Sequence, residues 1–460
     1  MTQDETHARL LPGVVQGAQT VRSFRALLAN TLVANVTTSY LWFALTFWAY
    51  LETRSVLATS IVGGTYMLLV AIFGMLFGTL ADRHRKKAVM AASSVVTLVS
   101  YALAGVLYLS FPKQRLVDWN GWVFWAFALV ILVGGVVESL RNIALATCVT
   151  LLVPSDDRAK ANGLVGTVQG ISFMVTSVFS GLSVGQLGMG WTTAIAIGLT
   201  ALSLAHLLTV RVPEATPQFA EGEKPGIYDV KGAISAIVTV PGLVALIFFA
   251  VFNNLLGGAY MSLMDPYGLN LFSVEAWGFV LGLTSIGFIV GGAFVAKYGL
   301  GPKPLRTLLS VNVGVALLGM GFVIRESAWL FAIGIFIFMC LMPIAEAAEQ
   351  TLLQRVVPFE KQGRVFGFSQ SVESAASPIS AFLIGPLTQF VLIPYMASSE
   401  GRSTFGWLLG TGETRGLALG LVFAGFLLLI TAVIAFVSPP YRQLTAAYDA
   451  AVAADAESDR

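Results

Sequence analysis

Charged residues are scarce in this chain. They make up 11% of its 460 residues, whereas hydrophobic residues make up 56%. A soluble domain carries about 25% charged residues, so this chain lacks the polar groups that would cover a water-exposed surface. Several runs of about 20 residues are almost free of charge, which is the length that a helix needs to cross a bilayer. The composition therefore predicts an all-α integral membrane protein.

Cysteine and histidine are scarce as well. The two cysteines, Cys148 and Cys340, lie inside apolar runs, which argues against a disulfide framework. Neither the cysteines nor the three histidines have the spacing of a metal site. The sequence also lacks the G-x-x-x-x-G-K-[ST] phosphate loop of ATP-hydrolysing proteins. We expect no enzymatic activity, no cofactor, no metal and no nucleic-acid partner.

Hydropathy predicts twelve transmembrane helices. Their approximate limits are 26–50, 57–81, 88–111, 122–148, 162–186, 190–210, 238–263, 276–298, 305–325, 328–353, 364–393 and 416–437. Of the 27 Lys and Arg residues, 20 fall on the side that holds both termini, six on the opposite side and one, Arg141, deep within a span. Positive residues favour the cytoplasmic side. We expect a multi-pass protein of the cell (inner) membrane with both termini in the cytoplasm and no removable signal peptide.

A polar segment separates the predicted helices into two groups of six. It follows the sixth helix and is rich in Pro, Gly and charged residues, which is typical of a linker. The predicted divisions are an N-terminal bundle, a cytoplasmic linker and a C-terminal bundle with a cytoplasmic tail, at 1–210, 211–237 and 238–460.

The two halves also resemble each other. Residues 152–181 align without gaps on residues 356–385, so that Gly163 meets Gly367. Glycines one turn apart recur in the second and eighth helices, at Gly74, Gly78, Gly287 and Gly291. Two six-helix halves with internal symmetry are typical of secondary transporters, whose substrate site lies between the halves near the midplane. The sequence therefore predicts two pseudo-symmetric six-helix bundles.

The turn after the second helix reads GTLADRHRKK, residues 78–87. A basic run suits a cytoplasmic turn but does not explain Asp82. The stretch resembles the loop signature of the major facilitator superfamily, usually written G-x-L-a-D-r-x-G-r-k, with Arg85 where a glycine is usual. Together with twelve spans and a linker after the sixth, the resemblance covers nearly the whole chain. Among the branches, the chain looks most like the twelve-helix drug–proton antiporters, which include macrolide and siderophore exporters.

This resemblance implies a latch at the cytoplasmic face. A carboxylate at Asp82 can face the N-terminus of the eleventh helix near Gly363, where unpaired N–H groups and partial positive charge favour an anion. The latch residues are expected to be Gly78, Asp82, Arg83 and Lys86. The alternative is that Asp82 caps a local turn.

Five charged residues fall within predicted spans, where ionisable groups are costly and indicate function. They are Glu138 and Arg141 in the fourth helix, Glu346 and Glu349 in the tenth, and Glu373 in the eleventh. If all five face one cavity, a single arginine cannot neutralise four carboxylates, and the excess favours binding of a proton or a cation. Glu346 and Glu373 have no basic residue within a turn, which makes them the preferred candidates.

Purely structural roles are the alternative explanation for the other charged residues. Glu138 and Arg141 are spaced as a static intrahelical ion pair that would hold the fourth helix to a neighbour. Glu349 lies close enough to the membrane interface to pair with Arg355 or Lys361.

Polar uncharged residues within the spans are candidates for lining the transport path: Asn30, Asn35, Asn142, Gln169, Asn253, Asn254 and Gln370. Hydrogen bonding between helices is the competing explanation for each of them. The aromatic content of 11% suits a cavity for flat apolar cations, although lipid-facing and interfacial rings explain it equally well.

The sequence thus predicts a secondary transporter that exports small amphipathic or cationic molecules, of the multidrug type, in exchange for protons by alternating access. Its expected partners are a small-molecule substrate, protons and membrane lipid, and the protein is expected to be a monomer. One alternative is an exporter or flippase of a single endogenous lipid, siderophore or metabolite. Others are an importer and a membrane receptor or scaffold that does not transport.

Overall fold

A computed structural model describes residues 18–53, 56–214, 229–412 and 414–458. Within these ranges the regular structure is helical, with no β-strand. The long helices are α1 Ala18–Thr53, α2 Val56–Arg83, α3 Lys86–Ser110, α4 Trp122–Leu152, α5 (158–187), α6 (189–209), α7 Leu243–Leu271, α8 Val274–Tyr298, α9 Pro304–Gly321, α10 Ala328–Val356, α11 Phe359–Leu387, α12 Thr414–Val437 and α13 Pro439–Ser458. Shorter helical segments are Lys113–Leu116, Ser155–Asp157, Val230–Thr239, Thr388–Leu392, Ile393–Ala397 and Ser399–Leu409.

The helices α5 and α6 form one run, Arg158–Thr209, that is broken at Gly188. The backbone of Gly188 has φ 79° and ψ 167°, a conformation that residues with a Cβ rarely adopt. Gly188 therefore separates α5 from α6 without a loop between them.

Ten helices of the described part are long and apolar enough to cross a membrane. The predicted spans 26–50 and 162–186 are not among the ten, yet both are helical and lie in α1 and α5. Polar side chains such as Asn35 and Gln169 lower the hydropathy of these two helices. The fold is that of an all-α integral membrane protein, and its helices are consistent with the predicted twelve.

The helices α1–α6 form one group and the helices α7–α12 form the other, and the two groups meet at one end of the molecule. We call this the basic end because it carries Arg83, Lys86, Arg158, Arg355 and Arg364. There one hydrophobic cluster includes residues of both groups, among them Leu27, Val149, Leu352 and Val365. Farther from the basic end, two other clusters each stay within one group of six, around Phe127 and Phe331. Hydrophobic packing therefore joins the two groups at the basic end.

Two helix pairs make this junction through glycines. In α2 and α11, a Cβ built on Gly78 would lie 2.2 Å from the carbonyl oxygen of Gly363. In α5 and α8, a Cβ on Gly163 would lie 2.5 Å from the backbone nitrogen of Ala296. Small residues let helix backbones approach this closely.

Glycines of the same four helices toward the opposite end make no such contacts. Around glycines of their distal halves, including Gly64 in α2, Gly181 in α5, Gly282 in α8 and Gly385 in α11, no described atom lies within 4 Å of a built Cβ. The close glycine contacts of these helix pairs therefore lie toward the basic end.

The junction has the internal symmetry that the sequence predicts, with one difference in register. The aligned residues Gly163 and Gly367 occupy equivalent contacts, since Gly163 meets α8 and Gly367 meets α2. The predicted counterparts of Gly74 and Gly78 in the eighth helix, Gly287 and Gly291, instead approach Cys340 and its neighbours in α10. Gly292 makes the contact with α5, because Gly292 lies on the face of α8 that packs against α5.

Candidate functional site

A cavity of about 240 Å³ lies between the two groups of helices, just beyond the basic-end junction. Its polar lining comes from both groups: Asn35, Asn142, Asn162 and Gln169 from α1, α4 and α5, and Glu346, Glu349, Gln350, Ser369, Gln370 and Glu373 from α10 and α11. Among the described lining residues, the helices α1–α6 thus contribute amide side chains, and the helices α7–α12 contribute the carboxylates.

Three of the five predicted intramembrane charges meet in this cavity. Glu346 and Glu349 project from one face of α10, and Glu373 joins them from α11. The described residues that line the cavity include no Lys, Arg or His. The arrangement therefore holds up to three negative charges without a fixed positive partner, which suits a mobile cation or proton.

Hydrogen bonds fix two of these carboxylates. Gln169 Nε2 donates to Glu346 Oε1 over 3.1 Å and so links α5 to α10. The Ser369 hydroxyl donates to Glu373 Oε1, and Asn254 Nδ2 lies 3.4 Å from Glu373 Oε2. Asn254 therefore borders the site from α7. Its neighbour Asn253 is half-buried and is not among the described residues that line the cavity.

The expected pairing of Glu349 with a basic residue is not seen. Arg355 Nη1 instead binds Asp455 Oδ2 at 3.0 Å, which ties α10 to the last helix, α13. Glu349 lines the cavity beside Glu346, so its position resembles that of the two preferred carboxylates.

The remaining charged pair, Glu138 and Arg141, is not among the described residues that line this cavity. Arg141 is fully buried, with its Nε 3.4 Å from Glu138 Oε1. Its Nη1 donates to Ser94 Oγ over 2.9 Å and its Nη2 to Asn30 Oδ1. Asn30 in turn donates to the carbonyl oxygen of Ser203 over 2.7 Å. Glu138, Arg141 and Asn30 thus form a network within the helices α1–α6.

Several amide oxygens of the cavity lack a hydrogen-bond donor. Asn35 Oδ1, Gln350 Oε1 and Gln370 Oε1 are enclosed, and no described group donates to them. Enclosed polar atoms are nearly always hydrogen-bonded in folded proteins. These acceptors are therefore available to a ligand or to water.

Asp82 is the centre of the predicted latch. It is buried, and its Oδ1 accepts a hydrogen bond from the backbone N–H of Gly363 over 2.7 Å. Its Oδ2 accepts from the backbone N–H and from Nε of Arg364, at 2.9 and 3.1 Å. The carboxylate therefore connects the end of α2 to the first turns of α11.

The other predicted latch residues differ in their contacts. Gly78 permits the close approach of α11 described above. Lys86 is buried, and its Nζ lies 3.8 Å from Glu214 Oε1 and 5.1 Å from the centre of the Phe359 ring. Burial raises the pKa of the Glu214 carboxyl, and the Lys86 ammonium opposes this rise. Arg83 is half-buried and forms no ion pair with the described residues.

Sequence analysis missed Arg364 as a latch residue. Its Nη1 binds Asp229 Oδ2 at 2.6 Å while its Nε binds Asp82, so one guanidinium bridges two carboxylates. Asp229 also caps the helix Val230–Thr239 by accepting from the backbone N–H of Gly232. The signal was present in the sequence, since Arg364 directly follows the glycine that Asp82 was expected to face.

A second connection at the basic end was also missed. Asn162 Nδ2 of α5 donates to Gln354 Oε1 and Thr351 Oγ1 of α10, at 2.9 Å each. Gln354 Nε2 donates to the carbonyl oxygen of Ala146 in α4 over 3.0 Å. This network closes the cavity on the side of the basic end. The sequence did not indicate this network, because each helix contributes only isolated polar residues near the end of a predicted span.

Comparisons with known proteins agree on the family. The sequence profile of the Major Facilitator Superfamily matches residues 27–381. Macrolide efflux protein A of Streptococcus pyogenes is 23% identical over 380 residues, which cover 78% of this chain and 88% of that protein. An enterobactin exporter of Escherichia coli is 22% identical over 392 residues, which cover 84% of this chain and 89% of that protein.

Solved structures share the fold. The outward-facing crystal structure of a bacterial homologue of the iron transporter ferroportin superposes with a TM-score of 0.65 at 14% identity. The match covers 89% of this chain and 98% of that one.

Proposed function

Since the chain belongs to the Major Facilitator Superfamily, we propose that this multi-pass membrane protein is a secondary active transporter that exports small amphipathic or cationic molecules in exchange for protons. The proposal places the basic end and both termini in the cytoplasm, as the excess of Lys and Arg favours. It assigns the two bundles to residues 1–210 and 238–460, joined by the linker 211–237. We propose the cell (inner) membrane as its location and a monomer as its working form.

The observation that carries the proposal is the group of three carboxylates in the cavity between the bundles. Glu346, Glu349 and Glu373 share this space without a basic residue in its lining. Carboxylates that share a site of low dielectric disfavour one another's ionised form, and a bound cation relieves this repulsion. Protons and an organic cation would therefore compete for the same oxygens, which couples their movements in opposite directions.

The proposed cycle begins from the described conformation, in which the basic end is closed by the contacts of Asp82 and Gln354. A proton from outside binds a cavity carboxylate and displaces the bound cation outward. The bundles then rock about the cavity, and the contacts of Asp82, Arg364 and Gln354 at the basic end must break. On the cytoplasmic side the proton leaves, and a new cation takes its place.

Proton-driven dye efflux from liposomes tests this function. Purified protein would be reconstituted into liposomes that are loaded with ethidium, and an inward proton gradient would be imposed across their membrane. We expect gradient-dependent efflux in the wild type and its loss in Glu346→Gln and Glu373→Gln, both of which remain folded and inserted. Glu360→Gln is the matched control, because Glu360 is exposed at the start of the helix that carries Glu373. Equal efflux from wild type and cavity variants would reject the role of the carboxylates.

The amide-rich lining favours a second candidate, an exporter of one specific endogenous compound. Asn35, Gln350 and Gln370 offer acceptor oxygens in fixed positions, and sites of that kind select for one pattern of donors. Absence of efflux for ethidium and for a neutral dye, in protein that is folded and inserted, would favour this candidate over the multidrug function.

A further inference from the structure

Two arginines from different groups of helices lie near each other at the basic end. Arg158 begins α5, and its Nη1 and Nη2 donate over 3.3 Å each to the carbonyl oxygens of Gln354 and Thr150. Gln354 directly precedes Arg355 of α10, whose side chain is only 6% exposed. We call Arg158, Arg355 and Thr150 the arginine site. It lies where α4 and α5 of one group meet α10 of the other.

The arginine site holds more positive than negative charge. Arg355 binds Asp455 of α13 at 3.0 Å, whereas the hydrogen bonds of Arg158 go to neutral carbonyl groups. Burial lowers the pKa of Arg158, which precedes the predicted span 162–186, and the nearby Arg355 lowers this pKa further, while Asp455 opposes the change. Two guanidinium groups therefore share one carboxylate, and the charge that remains favours an anion.

Three polar groups of the arginine site that can donate a hydrogen bond are unpaired. The Nε atoms of Arg158 and Arg355 and the hydroxyl of Thr150 are enclosed, and no described group forms a hydrogen bond with them. Enclosed polar atoms are nearly always hydrogen-bonded in folded proteins. Guanidinium groups match the geometry of phosphate, which offers several acceptor oxygens to donors from different directions. The unpaired groups thus suit an anion of that kind.

We propose that the arginine site binds a phosphate group, carried either by an anionic lipid or by a free phosphate ion. Basic pockets between transmembrane helices near a membrane surface suit lipid headgroups, and both sources present the same oxygens. A phosphate held by Arg158 and Arg355 links α5 to α10 and stabilises the closed basic end. This binding goes beyond the proposed transport and does not depend on which substrate is carried.

Isothermal titration calorimetry with inorganic phosphate tests the site in protein purified in an uncharged detergent, with chloride keeping the ionic strength constant. Arg158→Lys keeps the charge but removes the Nε donor, and Thr150→Val removes only the hydroxyl. We expect each to raise the Kd about tenfold, as the loss of a hydrogen bond to a charged group implies. Arg306→Lys is the matched control, because Arg306 is an exposed arginine in the first turn of α9, and it should leave the Kd unchanged.

Asp455→Asn separates a binding site from a purely structural cluster. This change removes the carboxylate that competes for Arg355, so phosphate should bind several-fold more tightly although α13 loses its ion pair. A structural cluster would lose stability in this variant without any gain in phosphate affinity, and that result would contradict the site.

Native mass spectrometry of the same proteins with phosphatidylglycerol distinguishes the two sources. Lipid retention that is reduced in Arg158→Lys and Thr150→Val, without heat of phosphate binding, would assign the phosphate to a lipid headgroup. Saturable heat that depends on the same residues, without selective lipid retention, would assign it to the free ion. Binding that is absent in both measurements, or equal in wild type and variants, would overturn the inference. Neither measurement requires transport, so failed dye efflux would reject the proposed function alone.

Discussion

The backbone N–H of Gly363 donates to Asp82 Oδ1 over 2.7 Å, across 281 positions of sequence. This bond joins the second helix to the eleventh at the basic end, and Arg364 strengthens it with a further N–H and its guanidinium. A buried carboxylate with these three donors stabilises the closed basic end, and removing its charge should open that end.

Asp82→Asn should therefore shift the protein towards the conformation with an open basic end. Hydrogen bonds to charged groups contribute about 1.5–3 kcal/mol each, so we expect a shift of at least tenfold in the equilibrium. The measurement is the distance distribution between spin labels at His84→Cys and Lys361→Cys, in protein carrying Cys148→Ala and Cys340→Ala. Asp118→Asn, in an exposed turn, is the control. Identical distributions in Asp82→Asn and wild type would refute the latch.

Gly78→Ala should prevent closure of the basic end for a steric reason. The new methyl carbon would lie 2.2 Å from the carbonyl oxygen of Gly363, and backbone on both sides leaves no flexible atom to yield. Overpacking of this kind costs about 1–3 kcal/mol, and we expect transport to fall at least fivefold in protein that still folds. Gly64→Ala is the matched control, since its methyl would meet open space on the same helix. Equal transport rates in the two variants would contradict the close packing.

Arg364→Lys should weaken the latch although it preserves the charge. The guanidinium binds Asp82 and Asp229 at once, whereas an ammonium is a compact point charge without that fork. We expect the spin-label distances to broaden in Arg364→Lys, and the variant Asp229→Asn to produce a smaller change because Asp82 keeps its backbone donors. Arg402→Lys, at an exposed position far from the basic end, provides the comparison.

Stability should depend on pH through Glu326, which lies in the turn between α9 and α10. A hydrogen bond from Thr414, supported by Arg415, holds the pKa of Glu326 below its ordinary value, against a smaller opposing effect of burial. A carboxyl whose pKa is lower in the folded state stabilises the fold above its unfolded pKa, and this contribution is lost as pH falls through its folded pKa. The unfolding temperature of wild type should exceed that of Glu326→Gln at pH 7, and the difference should shrink below about pH 4. A difference that is constant with pH would show that the ion pair does not contribute.

Much of the fold could be predicted from the sequence, because a helix that crosses a membrane must have a long apolar run and few charged residues. Uncharged runs of bilayer length predicted the helices, and the aligned residues Gly163 and Gly367 make equivalent contacts in the two halves. The sequence did not reveal which glycine of the eighth helix meets α5, since Gly291 and Gly292 are both glycines and composition cannot tell which one points across the junction.

The candidate site was only partly predictable. Spacing of three placed Glu346 and Glu349 on one face of a helix, but the same spacing in Glu138 and Arg141 did not reveal which way that face points. Sequence periodicity shows which residues share a helix face but not which helix packs against that face. The contacts of Arg141 with Asn30 and Ser94 could therefore be identified only from the tertiary structure. The bridging role of Arg364 depends on a carboxylate from a distant segment and was hidden for the same reason.

The most direct test of the account is whether binding a cation releases protons from the cavity. Ethidium would be added to purified protein in weakly buffered solution near pH 7, and the pH change and the bound ligand would be measured together. We predict proton release that saturates with binding in the wild type and is abolished when Glu346→Gln, Glu349→Gln and Glu373→Gln are combined. Ethidium binding without any proton release would contradict the exchange of cation and proton at the three carboxylates.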